Sequence, residues 1–96
     1  MRTTTRVNWR FTFTISDLAR LLGKSPVTLR GWDDRGLVNI PRDSSGDRKL
    51  ACADIRTITD KAFDLGRINH RRANLVYATM TLMEQIESEN NWKAKQ

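Results

Sequence analysis

The sequence predicts a mainly α-helical fold: a winged helix-turn-helix with a small β-sheet and a long C-terminal helix. Three observations carry this reading. Residues 14–36 hold two short apolar-striped segments, each with its own start and stop signals. Residues 40–50 set a turn cluster between two extended pieces. From residue 69 the chain keeps helical periodicity without a breaker to about Glu87.

The elements follow in order. Trp9, Phe11, Phe13 and Ile15 alternate with Arg10, Thr12 and Thr14, the period-two pattern of a half-buried strand. A lone strand needs a partner, and the later hairpin is the other extended candidate. Ahead of it, Met1 to Arg6 are polar; Arg2 and Arg6 form either a solvated tail or an arm reaching phosphate. Thr14 with Asp17 three residues on makes a capping box. Leu18, Leu21 and Leu22 stripe the first helix, and Gly23 ends it. Ser25 caps the second helix, Pro26 suits its first position, Leu29 and Trp32 face inward, and Gly36 closes it. Ile40 to Arg42 and Arg48 to Leu50 then flank the turn Asp43-Ser-Ser-Gly-Asp47, giving a hairpin or wing. Ala53 to Leu65 is a third helix with Ile55, Ile58, Ala62, Phe63 and Leu65 inward, stopped by Gly66. Asn69 caps the last helix.

Thr28-Leu-Arg30, Trp32-Asp33, Arg35-Gly-Leu37, Pro41-Arg42 and Ser45-Gly46 with Arg48 resemble the MerR-type winged helix over roughly residues 14–68. The chain departs from that pattern at Asp47 and Leu50, where aromatics flank the wing arginine, and at Gly31, where the recognition helix carries an aromatic. The resemblance implies a DNA-binding domain over 1–68, with 69–96 as a helix for packing or dimerisation and a polar tail. Family regulators continue into a coiled coil and a ligand domain. One further helix follows here, so no small-molecule effector is expected.

Bulk properties agree. Ninety-six residues suit one domain with a modest core. The net charge of +6 and a pI near 10.3 favour a polyanionic partner. The single Cys52 cannot form an internal disulfide, which fits a reducing cytosol. No apolar run is long enough to span a membrane, so the expected location is cytoplasmic, on the nucleoid. One His, one Cys and no recognisable acid pair leave no material for a metal cage or a nucleophile with its base. The expectation is therefore a non-enzyme without metal or cofactor.

A second helix of this kind enters the DNA major groove. Ser25, Val27, Thr28 and Arg30 occupy its reading side, and Arg30 can grip guanine O6 and N7 bidentately. Gly31 lets the backbone approach or forgoes a contact. Arg35 and Ser45 complete the candidate set, while Arg42, Arg48 and Lys49 would hold phosphates from the wing. Arg67, His70, Arg71 and Arg72 crowd the start of the last helix, where cations oppose the helix dipole. An anion would relieve that conflict, so Arg67 and Arg71 join the candidate DNA contacts, beside an ordinary solvated face. The last helix carries two adjacent apolar stripes: Leu75, Thr79, Leu82, Ile86 and Ala73, Val76, Met80, Met83. Val76, Met80 and Met83 are assigned to a homodimer seam. The expected protein is a small bacterial or phage transcriptional regulator binding an inverted repeat of double-stranded DNA as a dimer. The alternatives are a DNA-architectural protein such as an excisionase or small terminase subunit, and a protein–protein adaptor on the same fold.

Overall fold

The computed structural model describes residues 10–42 and 49–94. The expected wing turn, with Ser45 and Arg48, lies outside the described residues, as do Arg2, Arg6 and Trp9 of the arm. Four helices run in order: α1 (Ile15–Leu22), α2 (Pro26–Asp34), α3 (Cys52–Asp64) and α4 (His70–Ala94).

The helix ends are where local chemistry placed them. The Thr14 hydroxyl accepts the Asp17 N–H at 3.2 Å, and the Asp17 carboxylate accepts the Thr14 N–H at 2.9 Å. This reciprocal pair satisfies two donors that a helix start otherwise leaves open. Gly23 ends α1 at φ 71°, a left-handed conformation that a Cβ makes costly. The Lys24 N–H then returns to the Ala19 carbonyl at 2.8 Å, the reverse turn that satisfies orphan carbonyls. The same return occurs after α3, where the Arg67 N–H meets the Ala62 carbonyl at 2.8 Å. Asn69 Oδ1 accepts the Arg72 N–H at 2.8 Å and caps α4.

Leu18 and Leu22 of α1, Leu29 and Trp32 of α2, and Ile55 and Ile58 of α3 meet in one buried cluster. Burying each such side chain stabilises the fold by about 1.5–3 kcal/mol. α4 lies across α3 and also touches α1. Two polar ties align α3 with α4. Arg56 grips Glu84 with Nε at 2.9 Å and Nη2 at 2.8 Å, and Nη2 also donates to the Thr81 hydroxyl at 2.7 Å. Tyr77 donates its hydroxyl proton to Asp60. Among the described residues the one buried polar side chain is Thr59, which returns its hydroxyl to the Ile55 carbonyl at 2.6 Å and so carries no unsatisfied group.

Two expectations need correction. The small sheet is absent among the described residues. What remains is a single antiparallel bridge, with Phe13 and Leu50 exchanging N–H···O bonds of 2.8 and 2.9 Å. The cause is sequence crowding. Phe13 is followed at once by Thr14, the cap of α1, and Leu50 by Ala51, the cap of α3. In an antiparallel pair these two helix starts lie on opposite sides of the bridge, so the ladder is stopped in both directions.

The second correction concerns the stripe assigned to a second copy. Val76 is 1% exposed and Met80 0%, both within the chain's own core, and Met83 packs against its edge. α3 and α1 cover this stripe. The other stripe faces outward, with Leu75 at 59% and Leu82 at 58% exposure. α4 also runs to Ala94, past the expected end near Glu87. Glu87 is anchored, because its carboxylate accepts the Phe11 N–H at 2.7 Å, and a helix already started adds residues cheaply.

Candidate nucleic-acid interface

α2 offers the surface that the sequence singled out. Its buried residues are Leu29 and Trp32. Val27, Arg30, Gly31 and Asp34 follow at helical spacing on the opposite side. Val27 is 73% exposed and Arg30 is exposed. Ser25 spends its hydroxyl on the cap, accepting the Thr28 N–H at 3.1 Å and lying 2.9 Å from the Thr28 hydroxyl. The two hydroxyls thus hold each other at the exposed start of α2. A Cβ built on Gly31 would meet no atom within 4 Å, so a side chain could start there without a clash. Arg35 folds back on its own helix, with Nε donating to the Gly31 carbonyl at 3.2 Å.

Asp33 fixes the chain that leaves α2. Its Oδ1 accepts the Ile40 N–H at 3.2 Å, and Oδ2 lies 3.8 Å from Arg42 Nη2. Arg42 is thereby held half exposed at the end of the segment that leaves α2. Lys49 is exposed where the described chain resumes, beside the Phe13–Leu50 bridge.

The second group lies at the start of α4. Arg67 and Arg71 are exposed and form no ion pair with a described acid, and the first turn of α4 contains no acid. The α1–α2 turn approaches the α3–α4 turn here, leaving a cleft of about 550 Å³. Its walls carry Lys24, Arg67, Arg71 and Arg72 over an apolar floor that includes Leu22 and Ile68. Four cations converging on one cleft without an acid make an anion-attracting surface. The sequence places Arg72 in the basic cluster at the start of α4 but gives no sign of Lys24. Lys24 reads as part of a turn, and its closeness to residues 67–72 depends on how two distant turns pack.

His70, the lone histidine, is exposed, with its ring 5.9 Å from that of Phe63. Cys52 is buried, its Sγ 3.7 Å from a Glu87 carboxylate oxygen. Burial pushes its thiol up to about 11, with the charges of Glu87 and Glu84 adding to the effect. Such a thiol is a poor nucleophile at neutral pH. Among the described residues no three His, Cys, Asp or Glu stand together as a metal site, and no helix is long and apolar enough to cross a membrane.

Two capped helices joined by a tight turn, with the second presenting an exposed polar stripe, define a helix-turn-helix domain. Residues 13–59 match the family model described as MerR HTH family regulatory protein, and this part of the chain is a MerR family helix-turn-helix domain. Among solved structures, the chain is similar to HiNmlR, a MerR family regulator lacking the sensor domain, bound to promoter DNA. The identity is 26%, over 88% of this chain and 70% of that one, with a TM-score of 0.42. No curated protein matches the chain significantly.

Proposed function

We propose that this chain is a small transcriptional regulator of bacterial or phage type that binds double-stranded DNA with α2 in the major groove. The observation that carries this is the exposed stripe of Val27 and Arg30 on a MerR family helix-turn-helix, set beside a cleft of four cations. Arg30 reads a base, and Val27 or Thr28 touches a thymine methyl. Ser25 and the backbone at Gly31 lie against the sugar-phosphate edge. Arg42, Lys49, Arg67 and Arg71 contact phosphates and fix register. The reading needs no cofactor and no small-molecule effector, and it places the protein in the cytoplasm on the nucleoid.

Dimerisation is part of the proposal, through the stripe that the monomer leaves uncovered. Leu75 and Leu82 lie outward, with Thr79 and Ile86 half-buried between and beyond them. An antiparallel second copy would cover both leucines. A two-fold axis there gives an inverted-repeat site.

Alanine variants measured on specific and random DNA test the reading. Arg30→Ala costs about 1–3 kcal/mol on the specific site and relaxes preference at one base pair. Arg71→Ala weakens all sequences alike and lowers the salt slope by about one. Equal losses on both DNAs for Arg30→Ala would remove it as the reader. Sedimentation at micromolar concentration tests the dimer. Leu82→Glu yields a folded monomer that binds half and full sites alike, whereas a parent that sediments as a monomer contradicts the dimer.

A further inference from the structure

Arg72 belongs to α4 yet reaches across to the end of α1. Its Nη1 donates to the Leu21 carbonyl at 3.3 Å, one of the acceptors that a helix C-terminus leaves open. Its guanidinium lies against Gly23. A Cβ there would sit 3.2 Å from both Cζ and Nη2 and 3.4 Å from Nε, tighter than an ordinary contact. Gly23 is required for its positive φ, and its lack of a side chain leaves the Arg72 guanidinium room to rest there. The contact joins the two turns that wall the basic cleft, with Lys24 on one side and Arg67 and Arg71 on the other.

These cations repel one another when no anion is present. What sets their spacing has to be non-ionic. The candidates are the Asn69 cap, which fixes the first turn of α4, the burial of Ile68, and the Arg72 bridge. Of these, Arg72 alone bonds to α1, ahead of the helix-turn-helix turn. We infer that Arg72 is a positioning residue. It docks the start of α4 onto the α1–α2 turn, so that Lys24, Arg67 and Arg71 take one anion between them and the start of α2 and the start of α4 grip one DNA backbone as a unit. The phosphodiester as ligand rests on the DNA-binding reading above; the positioning of the cations does not.

Arg72→Lys separates the roles, since it keeps the charge and loses the planar fork. The expected result is a salt slope smaller in magnitude by about one with net charge unchanged. A purely structural loss would lower affinity through the folded fraction and leave the slope alone, and a purely electrostatic role would leave both. An unchanged slope in folded Arg72→Lys overturns the inference. A DNA-free arm uses inorganic sulfate at constant ionic strength. Sulfate raises the melting temperature of the parent and does so less in Arg72→Lys; equal shifts overturn the inference.

A second measurement leaves Arg72 intact. If one anion is shared, Lys24→Ala and Arg71→Ala each abolish most of the sulfate effect, and the double variant loses little more than either single one. Additive losses mean two independent surface sites and reject the inference. A parent that binds no DNA while these sulfate results hold would remove the DNA reading alone.

Discussion

Toward the C-terminal half of α4, Glu84 takes both arms of Arg56, and Glu87 accepts the Phe11 N–H. At its other end, Arg67 and Arg71 stand exposed against the helix dipole and face no described acid. One helix thus treats its charges in two ways. Where α4 only has to hold the domain together, each carboxylate of that pair has an internal partner. Where it borders the recognition helix, cations gather at a position that a stability-driven sequence would give to acids. The difference is the one the proposed function calls for, with the basic end left to an anion outside the chain. Local rules are broken where function asks for it.

The sharpest way to break this contrast is to reverse the basic end. In Arg67→Glu/Arg71→Glu, acids complement the dipole, and the fold gains about 0.3–1 kcal/mol per site at low salt. DNA affinity moves the opposite way, falling about 10- to 100-fold near physiological salt, with a salt slope smaller by about one, because the two arginines share one phosphate. Thermal melting and a salt titration of binding measure both. A variant that loses stability as well would mean that the two arginines support the fold.

A smaller effect is expected from the paired end. Glu84→Gln should cost at most about 1 kcal/mol, since the pair is partly exposed and screened, and should leave DNA affinity unchanged. Its pH signature has a definite sign. The hydrogen bond from Arg56 holds the Glu84 carboxyl below its ordinary 4.5. Its contribution is therefore full above that value and is lost as pH falls through the lowered one. Acid unfolding of Glu84→Gln should accordingly be shallower than that of the parent. Identical acid limbs would show that the pair contributes nothing.

The smallest effects concern Cys52 and Tyr77. Both are held above their ordinary values by burial first, the thiol to about 11 and the phenol to about 12, where the Asp60 hydrogen bond adds to it. Their contributions are present at neutral pH and are lost as pH rises past 9.0 for Cys52 and 10.0 for Tyr77. Native protein at pH 8 should react with a thiol reagent only as fast as it opens. Cys52→Ser should bind DNA like the parent, with or without chelator. Rapid labelling of the native thiol would contradict its buried, neutral state.

Much of the helical frame was legible because its signals are local. Thr14 with Asp17, Ser25 with Pro26, and Asn69 each announce a helix start through a side chain that satisfies nearby N–H groups. Gly23, Gly36 and Gly66 each mark a stop. Leu29 and Trp32 were placed inward by spacing alone. The errors share a different cause, namely which surface meets which. Periodicity showed two stripes on α4 but not that α3 and α1 would take Val76 and Met80 and leave Leu75 and Leu82 outside. The aromatic alternation at residues 9–15 suggested a strand, but a cap at Thr14 and another at Ala51 leave one paired residue on each side. In the site, Arg30 and Val27 follow from α2 alone. The association of Lys24 with Arg67, Arg71 and Arg72 depends on two turns 40 or more residues apart coming together.

The Phe13–Leu50 bridge has a consequence for how the chain tolerates change. It closes a segment containing all of α1 and α2 together with residues 43–48, and it sits where α1 and α3 begin. Residues added between Arg42 and Lys49 lengthen a loop that is already long. Each doubling of its length costs only about 0.6 kcal/mol. The stretch between Arg42 and Lys49 is therefore where insertions and deletions cost least to the helices. The frame that positions α2 lies outside it, so changes of length there leave that frame fixed.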